Sequence, residues 1–246
     1  MDNTPTFLDA YELRARYFPA VILSIPLLTA TQIVLSPRTE SFGGAMEYAG
    51  AAVAIIYVVS LYVRHSGRQI QPELWSSWMG APSTRFVRWR DTKVSHTEKV
   101  LIHAVVDQAF GLRLSTPTEE GREPLLADRL INDAFDRVRA YLRSHDSSGL
   151  VAKQNAEYGA LRNLFAIRRA FALESAFCSV ASLILWIAAH DRLYLWSSLV
   201  TAAYFVVGVF VGWRLLPNMV KLAAESYATS AWITFIHLAR NPDRTD

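Results

Sequence analysis

The sequence predicts an all-α, polytopic membrane protein with four transmembrane helices in two hairpins and a helical cytosolic domain. Three observations carry that fold class. The stretch from Ala170 to Trp213 holds two apolar runs parted only by His190, Asp191 and Arg192. Nearer the start, Pro19 to Leu35 and Tyr48 to Val63 contain no charged residue. Between these two pairs, residues 64–169 carry 17 Lys and Arg against 12 Asp and Glu, with helical and not strand periodicity. A bilayer core of about 30 Å is crossed by roughly 20 residues rising 1.5 Å each. Lipid offers no hydrogen-bond partners, so each run must close its own backbone bonds as a helix.

The first domain, residues 1–63, opens with Asp9 to Phe18, where Leu13, Tyr17 and Phe18 share one side and Arg14 and Arg16 lie elsewhere. That pattern predicts a short interfacial helix running into the first crossing. The opening residues lack the short apolar region and small-residue cleavage site of a secretory signal, so insertion without cleavage is expected. The first crossing should kink at Pro26, a break that neighbouring helices can cover. Pro37 and the pair Gly43-Gly44 punctuate the loop that follows. In the second crossing Ala45, Ala49, Gly50, Ala51, Ala52 and Ala54 form a surface of small residues suited to close helix approach.

In the cytosolic domain, 64–169, the stretch Gln71 to Asp91 opens with Pro72. Trp75 and Trp78 then share a helix face at i, i+3. Val100, Leu101, Ala104, Val105 and Ala109 mark a helix within Ser95 to Leu112, and Ser115-Thr-Pro-Thr-Glu-Glu reads as a break followed by a cap. A third stripe runs from Pro124 to Arg143, and a last helix from Leu150 to Arg169 should continue into the third crossing. The second hairpin, 170–216, contains Ser197, Ser198 and Thr201, whose hydroxyls can bond to the preceding turn. Beyond Pro217, the final segment, 217–246, predicts an amphipathic helix that packs on the middle domain or on a second subunit.

Orientation follows from the cations. Of 25 Lys and Arg, only Arg38 and Arg192 fall in the loops Ser36–Gly44 and His190–Arg192, which places both termini and the middle domain in the cytosol. The excess of three cations over acids largely reflects this bias and alone implies no nucleic-acid partner.

Enzyme templates fail. There is no GxSxG, GxxxxGKS/T or HExxH and no Cys/His cluster, so no metal or cofactor is expected. The lone Cys178 fits a small apolar filler inside the third crossing. Two pairs, Arg90 with His96 and Arg139 with His145, have the loose spacing of HEPN-type ribonucleases, which keeps a membrane-anchored nuclease as an alternative. A second alternative is a passive membrane scaffold.

The more persuasive cluster is Arg85, Arg88, Trp89, Arg90 and Lys93, with Trp75 and Trp78 just upstream. Guanidinium groups grip phosphate bidentately and indoles stack on bases, the pairing a nucleotide or single-stranded oligonucleotide site needs. The bland alternative has the same residues meeting lipid head groups. Asn155, Tyr158 and Arg162 lie on one helix face directly below the third crossing, either as a second ligand contact or as a structural polar seam. Glu47 and Glu174 sit about one turn inside their crossings, where a carboxylate marks a pore mouth or an interfacial ion pair. Gly208 and Gly212, at GxxxG spacing, suit helix packing or, alternatively, pore lining.

PELWSSWMGAPSTRFVRWRD at 72–91, followed by QNAEYGALRN at 154–163 between two membrane hairpins, resembles bacterial four-crossing proteins paired with nucleotidyltransferases in anti-phage defence. These are the SMODS-associated four-transmembrane effectors and, similar in layout, the membrane effector of the Hailong system. The resemblance implies a homo-oligomer, with a tetramer favoured, in the bacterial inner membrane. It implies a cytosolic domain that senses a nucleotide or single-stranded oligonucleotide made by the partner enzyme. The expected outcome is an ion channel or pore that depolarises the membrane and arrests the infected cell, with no enzymatic step of its own.

Overall fold

The computed structural model describes residues 13–39 and 42–241 of the chain. Among them every regular element is a helix. Four spans are long and apolar enough to cross a bilayer, Leu13–Ile33, Gly43–Val87, Leu150–Ala189 and Arg192–Arg240, as the sequence predicts of a polytopic membrane protein. Of the expected interfacial helix at 9–18, residues 9–12 lie outside the described residues. The rest is a π-helical turn, Leu13–Tyr17, leading into α1, Phe18–Thr39.

Helix α2 spans Phe42–Ser77 and runs unbroken through Pro72, the residue at which the second compact unit begins. A helix already propagating gains one bond per residue. The bond Pro72 cannot make is offset by the burial of Leu74 and Trp78 on the turns that follow. The helices that follow are α3, Pro82–Val87, α4, His96–Phe110, α5, Pro117–Arg122, and α6, Pro124–His145. Then α7 runs unbroken from Leu150 to Ala189, and α8 covers Arg192–Phe210. A π-helical turn, Val211–Leu215, joins α8 to α9, Leu216–Arg240. Pro217 therefore lies inside a helical run that continues from α8 through that turn.

The chain divides into two compact units, and the boundaries differ from those of the sequence. One, the membrane unit, comprises the chain up to Gln71 with Ala156–Lys221. The other, the polar unit, comprises Pro72–Asn155 with the chain from Leu222 onward. Residues 156–169 thus belong with the crossings, and the end of the chain is not a separate domain.

In the membrane unit, Ala20, Leu23, Val63 and Ile167 form a small apolar cluster. Small residues let the helices touch: a Cβ on Gly67 would lie 1.7 Å from Asn163 Oδ1, and one on Gly208 would lie 2.4 Å from the Phe171 ring. Hydroxyls join the second hairpin, with Ser182 Oγ and Ser197 Oγ 2.9 Å apart and Ser179 Oγ donating to the Ser198 carbonyl at 3.0 Å. Tyr48 donates to the Leu28 carbonyl at 2.6 Å and pins the first hairpin.

The polar unit has an orthodox aqueous core. Val87, Ile102, Val106, Ile131 and Val138 pack around Trp232 and Phe235 of α9, both fully buried. Trp232 Nε1 donates to the Ser83 carbonyl at 2.9 Å. Helix ends follow local sequence rules. Ser95 caps α4, Gly111 ends it in the left-handed region at φ 60°, and Thr116 with Glu119 forms a reciprocal capping box on α5.

Candidate functional site

The basic stretch 85–93 crosses α3 and the loop that follows, and its side chains separate into two groups. Arg88 is buried at 8% exposure. Its Nε and Nη2 each donate to one oxygen of Asp128 at 2.6 Å, and Nη1 donates to the Met79 carbonyl at 2.6 Å. Arg90 donates to both Asp128 oxygens at 2.8 and 2.9 Å and to Glu120 at 3.1 Å. The buried Glu120 also accepts the backbone N–H groups of Trp89 and Arg90. Trp89 Nε1 donates to the Ser115 carbonyl at 2.8 Å, and its ring lies against His96 and His103, with centroids 5.1 and 4.5 Å away. Trp78 is buried, while Trp75 is half-buried with its Nε1 enclosed and without a hydrogen bond.

This corrects the reading of Trp78, Arg88, Trp89 and Arg90 as an open phosphate-and-base platform. Two carboxylates from α5 and α6 occupy the guanidinium forks, and the Trp89 ring packs on His96 and His103 with its Nε1 already bonded. A buried Lys99 completes the loop, its Nζ donating to the Asp91 and Trp89 carbonyls.

Electrostatics in this group follow from burial. Burial pushes the Lys99 ammonium below its ordinary value against the opposing pull of Asp91 and Glu120. It likewise lowers His103, against the opposing pull of the Val87 backbone and Glu120, and its Nε2 is enclosed without a partner. For Asp91, burial acts upward, but the Lys93 N–H and the Arg85 guanidinium outweigh it and hold the carboxyl below the usual range.

The second group comprises Arg85 and Lys93. Arg85 Nε donates to Asp91 Oδ2 at 3.0 Å, and its Nη1 and Nη2 hydrogen-bond to nothing among the described residues. Lys93 Nζ pairs with Glu225 of α9. Both cations line a cavity of about 380 Å³, together with Glu98, Glu225, Phe86 and Ile233. This cavity is the candidate site: one anchored guanidinium with a free fork, one ion-paired ammonium, two carboxylates and an apolar wall.

Asn155, Tyr158 and Arg162 lie on the one helix α7. Asn155 belongs to the polar unit, Tyr158 is buried, and Arg162 donates to Gln71 Oε1 at 2.6 Å and to Asn163 Oδ1 at 3.4 Å. Arg162 is thus part of a polar seam between α7 and α2, the bland reading of that face. Among the pore or gate candidates, Gly208 packs on Phe171 and Gly212 on Arg168, so both serve helix contact. Glu174 accepts the Leu27 N–H at 3.2 Å, next to Pro26, and Glu47 is exposed on α2. The nuclease pairs are engaged elsewhere. Arg139 pairs with Asp136, and His145 stacks on Tyr141 at 4.0 Å and hydrogen-bonds its carbonyl. Among the described residues no group of His, Cys, Asp and Glu could hold a metal ion.

Sequence reasoning missed the acids: Asp91, Glu120, Asp128 and Glu225 decide which cations are free. The one available signal was the 12 acids of the middle stretch, too many for an unopposed basic patch.

Fold and geometry together define a class, a polytopic all-α membrane protein with a separately cored polar unit that holds a charged cavity. Comparison with protein-family models, with curated proteins and with solved structures finds no match to the chain.

Proposed function

We propose that the chain is a ligand-gated membrane effector: a homo-oligomer, with a tetramer favoured, whose polar unit binds an anionic nucleotide or oligonucleotide and thereby controls an ion-conducting pore. In this reading it sits in a bacterial inner membrane with both termini cytoplasmic. It answers a partner nucleotidyltransferase during phage infection, and its opening depolarises the cell and arrests growth. One observation supports this above the others. The continuous span Arg192–Arg240, which is long and apolar enough to cross a bilayer, also supplies Glu225 and Ile233 to the cavity lined by Arg85 and Lys93. A ligand there contacts the same helical span. The direction of the response follows from which state binds the ligand better.

Ion flux from liposomes carrying the purified chain tests the reading. Flux should change on adding nucleotides or short oligonucleotides, and Arg85→Ala should remove that response. Flux that is absent under every ligand condition would instead identify a passive scaffold. RNA cleavage lost in His96→Ala or His145→Ala would identify a nuclease.

A further inference from the structure

The cavity contains a contradiction that points to its regulation. Arg85 is prepared for an anion, since Asp91 fixes Nε, neither terminal amino group has a hydrogen bond among the described residues, and the side chain lines the cavity. Yet the second cation, Lys93, is already taken by Glu225. Lys93 is 53% exposed and Glu225 31%. A pair so open to water is weak, because solvent screens it and two long side chains must be held in one geometry. A phosphate gripped by a guanidinium fork makes two parallel charge-assisted bonds, a stronger arrangement.

We propose that the Lys93–Glu225 ion pair is an anion-sensitive latch. A phosphate-bearing ligand takes the free fork of Arg85 and displaces Glu225 from Lys93, releasing α9 from the loop 88–95. The proposal rests on the reading that this unit senses an anionic ligand, and it adds how the sensing is transmitted. At about 380 Å³ the cavity is near the lower end of small-molecule sites, roughly 300–1,000 Å³. It therefore admits one nucleotide-sized moiety, with the phosphate toward Arg85 and Lys93 and the remainder against Phe86 and Ile233. Glu225 is nine residues into α9, which continues through the π-helical turn Val211–Leu215 into the fourth crossing. Trp232, deeper in the same helix and bonded to Ser83, keeps α9 in the core when the latch opens.

The latch makes a prediction of unusual sign: removing an acid from the site should tighten binding, because Glu225 competes with the ligand. Calorimetry on the detergent-solubilised full chain, with a mixture of nucleoside 5′-monophosphates and with inorganic phosphate in parallel, reads it. Glu225→Gln should bind the nucleotides about two- to fivefold more tightly than the parent, the size of one solvent-exposed ion pair. Glu225→Ala should do the same through a different side chain. Arg85→Ala should bind about ten- to a hundredfold more weakly, as loss of a charge-assisted contact requires. In liposomes, Glu225→Gln should also move the ligand-free flux toward the liganded level. If Glu225→Gln and Glu225→Ala bind no more tightly than the parent while Arg85→Ala still loses binding, the latch is wrong and the ligand reading stands. If neither parent nor Glu225→Gln binds any phosphate probe, the ligand reading fails and the latch with it.

Discussion

The two units of this chain solve the same problem, holding helices together, under different solvents. In the membrane unit the contacts are made by what is small or hydroxylic: Gly67 against Asn163, Gly208 against Phe171, Ser182 against Ser197. Lipid supplies no hydrophobic force between helices, so close approach and short hydrogen bonds carry the association. In the polar unit water drives a dense core around Trp232 and Phe235, and the charges that remain are matched pairwise, Arg88 and Arg90 against Asp128 and Glu120. The lesson concerns substitution. A charge lost from the polar unit leaves its partner stranded, whereas a methyl group added to the membrane unit is what its packing cannot accept.

The largest effect should come from breaking that matching. Arg88→Ala leaves Asp128 to the more exposed Arg90 alone and the Met79 carbonyl without its donor, and should cost the polar unit about 3 kcal/mol, the low end of the range for removing one member of a buried pair. Arg88→Lys should recover little, since an ammonium cannot span both carboxylate oxygens and the Met79 carbonyl. Thermal unfolding followed by Trp fluorescence in detergent checks both. Equal stability of Arg88→Ala and the parent would mean that Asp128 is adequately solvated without Arg88.

A smaller effect, of about 1–3 kcal/mol, is expected where the membrane unit is overfilled. Gly67→Ala sets a Cβ against the Asn163 amide, which must swing away and give up its bond to the Ala15 carbonyl and its contact with Arg162. Graded denaturation in SDS should register the loss. The same Gly→Ala change at Gly121, where a Cβ meets nothing within 4 Å, should be silent or stabilising and supplies the control.

These contrasts also explain how much of the molecule was legible in its sequence. The four crossings were readable because lipid imposes one requirement, uninterrupted apolar length, that needs no knowledge of neighbours. The break and cap within Ser115 to Glu120 were readable because a cap is decided within four residues. Helix continuity through Pro72 and Pro217 was not, since burial of Leu74 and Trp78 on one side and a preceding π-helical turn on the other outweigh the local rule. The candidate site was half legible. Its cations stand side by side at 85–93, but Asp128 is 40 residues from Arg88 and Glu225 is 132 from Lys93. Only the fold brings those acids in, and they convert most of an apparent nucleic-acid platform into internal structure, leaving Arg85 and Lys93 at the cavity.

The mildest test of the comparison is a slope and not a loss. His103 lies inside the charge-matched group, against the Trp89 ring, with Glu120 attracting its proton and Lys99 opposing it. Burial outweighs Glu120, so the folded-state value lies below the ordinary one of about 6.5. The stability this neutral histidine confers is therefore fully present above about pH 6.5. As the pH falls below that value the unfolded chain takes up the proton first, and stability declines until the folded value is passed. Asp91, whose folded value is also lowered, contributes in the same sense but only near and below about pH 4, where unfolded aspartate titrates. The two windows separate. Melting temperatures of the parent should fall between pH 7.5 and 5.5, and His103→Gln, which removes the titrating ring, should flatten that interval while leaving the decline below pH 4 intact. An undiminished slope in His103→Gln would assign the proton uptake to another group and remove His103 from the charge-matched set.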